Sequence, residues 1–482
     1  MRSTFIQLTV LSVLTVRALA QTAYANDFVD PDYILAKNFG AHTYRAQQEI
    51  ISWAQRLARP TVVNGPWSVM DKSVNPPSGD KHDYLSWAPY WWPDCSGVGN
   101  TTALTPEQVW TTCPYRNRDG QFNPDGRLVN DVGNFQDMSE AVFYNAIAWT
   151  FGTNEASKFE NDAVRFIRAW FLDTETRMNP HLNFGQMKRG PDGQVGSHTG
   201  LLDLKGMAKI TSAILLLRKG GSTVWTSELD SQMIAWAREY IQWMETAEIS
   251  IEEREAENNH GTFFYNQLAA LKILVDDLPG AKEVTTAYFN TQYLYQIEAS
   301  GEQPLEAART RPYHYRAYNL AATITNARLD QFASKNTDAF HKRTNAGSTI
   351  QTALDFAMTI SATDSSETRY AAELYPNIAA VASVYGDPEG KYLAFLKKSY
   401  PSFMSEPFIL WNQPWAEGES SGLAPASRVA SSPTSTSRSK ATKSAAADDA
   451  ASGALAVRSA IGIWYASALA CIPVAALFFN SL

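Results

Sequence analysis

The chain has 482 residues, 45% of them hydrophobic and 19% charged, with a formal net charge of −8 at pH 7. Such a length can hold a large core, and the acidic balance argues against a nucleic-acid binder. It leaves an anionic substrate open, because local Arg and Lys decide that.

In chain order, residues 1–20 read as a secretory signal. Arg2 is the charged start, residues 5–16 are the apolar run, and Ala18-Leu19-Ala20 is a small-x-small cleavage site. The body then occupies residues 21–415. Cys95 and Cys113 flank a Pro/Thr-rich insertion and are expected to form a disulfide across it, as in exported proteins. The third cysteine, Cys471, lies in the tail. Two cysteines without a nearby histidine pattern predict no zinc site. No P-loop, dinucleotide fingerprint, HExxH or nucleophile elbow stands out, so no cofactor is expected. Asn100-Thr101-Thr102 is an N-glycosylation sequon inside the insertion.

Helical spacing then dominates. Val142, Phe143, Ala146, Ile147 and Phe151 form one stripe, and Val164, Ile167 and Phe171 another. Leu201, Leu204, Ala208 and Leu215 continue the pattern, as do Ile234, Ala237, Ile241 and Met244. Phe264, Leu268, Leu271 and Val275 follow, then residues 288–297 and 313–324. No comparable series of alternating strands is visible, and no fixed-period repeat. The body is expected to be all-α; a toroid of helical hairpins fits the number of helices, and periodicity alone does not separate it from an irregular helical array. Residues 416–454 are a Ser/Thr/Ala-rich linker, expected to be a flexible, O-glycosylated stalk. Residues 455–482 are apolar and follow small residues at Ser452-Gly453-Ala454. They read as a GPI-attachment signal or a membrane anchor. The protein is expected to be secreted or held at the cell surface.

Two segments carry proton-handling side chains at helix starts, where unpaired N–H groups favour anions. The first is Asn258-Asn259-His260-Gly261. The second is Arg309-Thr310-Arg311-Pro312, leading into Tyr313-His314-Tyr315-Arg316-Ala317-Tyr318. Asn259 and His260 can draw charge from a uronate carboxylate and acidify the neighbouring C5–H, and His260 can take that proton. Arg309 or Arg311 can clamp the carboxylate with two parallel hydrogen bonds. Tyr315 beside arginines can give a proton to the leaving oxygen. Lys81, His82, Tyr90 and Trp91 lie in an aromatic-rich segment suited to sugar stacking. Gln136, Asn183, Gln186, His198, Asn258 and Tyr318 are further candidates for substrate contact, with Asn134 beside Gln136.

Together, Lys81-His82-Asp83-Tyr84, Ala88-Pro89-Tyr90-Trp91-Trp92-Pro93, Trp170-Phe171-Leu172, Arg177-Met178-Asn179-Pro180, Asn258-Asn259-His260-Gly261 and Arg309-Thr310-Arg311 resemble the alginate lyase domain superfamily. The likeness runs over residues 60–385 and is strongest to its glucuronan-type branch. It implies an incomplete (α/α) toroid and metal-independent β-elimination of a 1,4-linked polyuronate. By that analogy Asn259 and His260 neutralise the carboxylate, Tyr315 is the proton donor, and Arg309 or Arg311 binds substrate. The sequence departs from the pattern in one place: His314 precedes Tyr315 and Arg316 follows it, which leaves Tyr313 and Tyr318 as alternative phenols. Two rival readings are a glycoside hydrolase, drawing on Asp131, Asp137, Glu140, Asp203 or Glu257, and a wall-polysaccharide-binding protein without catalysis.

Overall fold

A computed structural model describes residues 28–58, 66–99 and 103–412. The signal segment, Asn100, the 416–454 tract and the 455–482 apolar end lie outside these described residues.

The periodic stripes become antiparallel hairpins. α1 (Tyr44–Arg56) packs on α2 (Asp131–Thr150), which also meets α3 (Ala156–Ile167) and α4 (Met207–Lys219). α5 (Ser227–Thr246) and the short α6 (Glu248–Glu255) lead into α7 (Asn259–Leu274). α7 packs on α4 and on α8 (Leu278–Asn290). α9 (Pro312–Ser334) lies against α7, and α10 (Ile350–Met358) and α11 (Tyr375–Tyr385) follow it. The inner row is therefore α2, α4, α7, α9 and α11, with α3, α5, α8 and α10 outside. This is an incomplete (α/α) toroid.

Composition explains which helix goes where. The inner helices are buried on all sides: every residue from Gly261 to Ala270 in α7 is buried. The outer helices bury one stripe only, as α3 does with Phe159, Ala163, Val164, Phe166 and Ile167. Among the described residues no helix is long and apolar enough to cross a membrane.

The strands escape the sequence pattern because each is three or four residues long. β1 (Leu85–Trp87) pairs in parallel with β4 (Phe184–Met187), and β2 (Trp91–Pro93) pairs antiparallel with β3 (Tyr115–Asn117). The Cys95–Cys113 disulfide closes the β2–β3 excursion. Two stripes also break where continuity was expected. Residues 288–297 split at Thr291, whose φ of −125° and ψ of −98° end α8 before a short helix at Tyr293–Gln296. The 201–215 stripe begins as a 3-10 helix, His198–Leu204, and turns α-helical only after Gly206.

Candidate active site

The start of α7 is a tight return from α6. A Cβ on Gly261 would lie 2.0 Å from the Ala256 carbonyl oxygen, so only glycine lets the two helices meet this closely. Asn258 caps α7, its Oδ1 accepting the His260 N–H at 3.1 Å. The return folds His260 over α6, where its Nδ1 lies 2.7 Å from Glu253 Oε1. The other oxygen of Glu253 lies 2.5 Å from His198 Nδ1. The Glu253 side chain is completely buried. Burial opposes its charge, but His260 and His198 outweigh burial and hold the carboxyl below its ordinary pKa. The hydrogen bond to Glu253 in turn raises His198.

Asn259 is also fully buried. Its backbone N–H and its Nδ2 both donate to Glu306, each at 2.7 Å, and its Oδ1 has no partner. Burial raises the Glu306 pKa, against the bonds from Asn259 and the charges of Arg309 and His260. At the start of α9 the Tyr313 and His314 N–H groups donate to Glu367, each at 3.0 Å. Both helix starts that were expected to receive an acidic sugar are thus occupied by glutamates of the chain itself. The free polar surface is instead made of side chains.

Those side chains come in a paired array. Arg309 Nη2 donates to the Tyr315 hydroxyl at 3.1 Å, with its guanidinium carbon 4.1 Å from the ring centroid. Arg311 Nη1 donates to the Tyr370 hydroxyl at 2.6 Å, and Nη2 donates to that of Tyr90. The Tyr90 phenol also acts electrostatically on that of Tyr315. Burial raises the Tyr315 pKa, Tyr90 adds to this, and the two arginines pull only partly against it. At neutral pH Tyr315 is therefore a protonated phenol. His260, Arg309 and Tyr315 belong to one end of the inner row. Glu306 senses both His260 and Arg309, and Phe263, one turn into α7, packs with Tyr315, Tyr318 and Leu202.

The other candidates are spread around this end with mixed duties. Lys81 is exposed, while His82 Nδ1 lies 2.6 Å from the Arg177 carbonyl and ties its loop down. Trp91 lies on β2 under Lys188 Nζ, 4.8 Å from its centroid. Tyr318 is buried between Phe263 and the His314 ring. Tyr313 donates to the Ala371 carbonyl at 3.2 Å and points into the core. Gln186 is spent on Asp203 and Thr199, and Asn183 accepts from Trp243 Nε1 at 2.8 Å. Gln136 is buried in α2 with Oε1 unpartnered, and Asn134 accepts from Asn130 at 3.1 Å. Sequence reading missed Glu253, Glu306, Glu367 and Tyr370. Only Glu306 left a local signal, one helical turn before Arg309.

Of the carboxylates on which a hydrolase could draw, Asp131, Glu140 and Asp203 are committed elsewhere. Asp131 forms a buried pair with Lys72 at 3.0 Å, Glu140 pairs with Lys209, and Asp203 accepts from Tyr84, Ser86 and Gln186. Among the described residues, His198, Glu253 and His260 form the one group with metal-ligand spacing, their atoms within 4.8 Å of one another. Those atoms already satisfy each other by hydrogen bonds.

The alginate lyase family model matches residues 68–368. A solved alginate lyase from Bacteroides ovatus superposes with a TM-score of 0.67 and 26% sequence identity, covering 80% of this chain and 98% of that one. No curated protein matches by sequence.

Proposed function

The chain belongs to the alginate lyase family, whose substrate is an anionic polysaccharide, and on that premise we propose that it cleaves a 1,4-linked polyuronate of glucuronan or alginate type by β-elimination. The observation that carries this is the contact of Arg309 with Tyr315 at the end of the inner row that also holds His260. Arg309 and Arg311 neutralise the uronate carboxylate, which lowers the cost of carbanion character at C5. The Nδ1 edge of His260 is engaged by Glu253, so Nε2 is the atom free to take H5. The C5–H electron pair forms C4=C5, the C4–O4 bond breaks, and Tyr315 gives its proton to O4. A phenol kept protonated by burial suits the acid role. Asn259 serves by fixing the start of α7 through Glu306, and no metal enters the scheme.

The reaction leaves a double bond conjugated with the carboxylate, which absorbs in the ultraviolet. A panel of polyuronates incubated with the purified protein is expected to yield absorbing oligosaccharides from at least one polymer. Reducing ends released without that absorbance would mean hydrolysis and would overturn the proposal. We further assign the protein to the outside of the cell, at its surface through residues 455–482. The Cys95–Cys113 disulfide supports an oxidising compartment.

A further inference from the structure

We propose that Glu253 is a positioning carboxylate that serves two imidazoles at once, fixing His260 for proton abstraction and setting His198 beside it as a second side chain that contacts the uronate. This rests on the reading of the site as one that eliminates across a uronate. The geometry is specific. Glu253 gives one oxygen to each ring, at 2.7 Å to His260 Nδ1 and 2.5 Å to His198 Nδ1. An ionised carboxylate only accepts, so both Nδ1 atoms must carry hydrogen. The tautomer of both rings is thereby set, and each presents Nε2 on the edge away from Glu253.

The carboxylate is sealed while the rings are not. The Glu253 side chain has no exposure, against 14% for His260 and 30% for His198. The ring centroids are 5.7 Å apart, close enough for one carboxylate or a pair of hydroxyls to meet both. His198 Nε2 faces outward, 3.5 Å from the exposed Glu252, and the charge of Lys188 also reaches this ring. Leu202, one turn beyond His198, packs against Phe263, Tyr315 and Tyr318, so the His198 segment walls the same trough. The partners of Glu253 come from two separate elements, the 3-10 helix at His198–Leu204 and the start of α7. A carboxylate buried merely to close α6 would not need to hold both.

The test is Glu253→Gln in the full chain. The amide keeps the volume but offers one acceptor and one donor, so only one imidazole can keep its Nδ1–H bond. Nitrogen-15 spectra of the histidine side chains, assigned with His198→Gln and His260→Gln, should show Nδ1–H on both rings of the parent. In Glu253→Gln one ring should move its proton to Nε2, and kcat should fall about 10- to 100-fold with a smaller change in KM, the range for loss of an orienting partner. His198→Gln should raise KM several-fold while kcat is largely kept. A folded Glu253→Gln protein with unchanged tautomers and unchanged kcat overturns the proposal. So does a parent enzyme that loses activity to a chelator and regains it with zinc, since the cluster would then be a metal site. If Glu253→Gln does not fold, an unaltered KM in His198→Gln overturns the shared-carboxylate assignment by itself. The spectra need no turnover. Failure of the lyase reading would appear separately, as a parent protein that forms no ultraviolet-absorbing product.

Discussion

Tyr315→Phe removes one oxygen and leaves the ring on Phe263 and Tyr318. Without the acid, kcat should fall about 10²- to 10⁴-fold, while the melting temperature stays near that of the parent. Initial rates from ultraviolet absorbance and a thermal scan measure the two effects separately, and a rate within threefold of the parent would exclude Tyr315 as the acid. Asn259→Ala should behave in the opposite way. It strips one donor from the buried Glu306, which costs about 1–3 kcal/mol for an unsatisfied buried group. Denaturant unfolding should register that loss. A variant of full stability with a raised KM would mean instead that the amide meets substrate. The contrast shows what single residues reveal in sequence. Arg309 and Tyr315 lie within two turns of each other, so their contact was legible. Asn259 and Glu306 are 47 residues apart, and nothing local says that the amide faces inward.

The element that matters most is the α6–α7 return. Gly261→Ala would set a methyl against the Ala256 carbonyl oxygen. Relieving that clash should cost about 1–3 kcal/mol and swing His260 away from Glu253. Loss of stability and loss of kcat should therefore appear together, and activity at parent level in this variant would contradict the link. The same return predicts a pH dependence. His198 is raised above its ordinary 6.5, so its contribution is complete below that value and fades as pH climbs through the higher folded value. Glu253 is lowered from its ordinary 4.5, so its contribution is complete above that value and fades as pH drops through the lower folded one. The pair therefore stabilises most between those two ordinary values. Melting temperatures of the parent and His198→Gln, compared from pH 4 to 9, should differ most inside that window and converge toward both ends. The helix starts themselves were legible from Asn258 and Pro312, which cap α7 and open α9. The occupants of those starts, Glu306 and Glu367, were not, because a carboxylate brought from elsewhere in the chain leaves no periodic trace.

Across the whole molecule, the number of apolar stripes fitted a toroid but also an irregular helical array, because periodicity marks helices without saying how they are arranged; the toroid followed from the family resemblance. What closes the arc was hidden. The last described segment, Phe408–Trp411, is too short for any period to show. It returns to the beginning of the row: the Leu410 carbonyl accepts from the Tyr33 hydroxyl at 2.8 Å, and Trp411 meets Phe143 edge-on at 5.5 Å. Phe408, Ile409 and Leu410 are almost completely buried. At about 1.5–3 kcal/mol for each buried side chain, these three contribute roughly 5–9 kcal/mol, comparable to the net stability of many domains. A chain ending before Phe408 should therefore fail to fold or lose most of its stability. A chain ending just after Asn412, which accepts from Arg328, should keep both its melting temperature and its turnover. If the longer truncation product is inactive while folded, residues beyond 412 belong to the catalytic body.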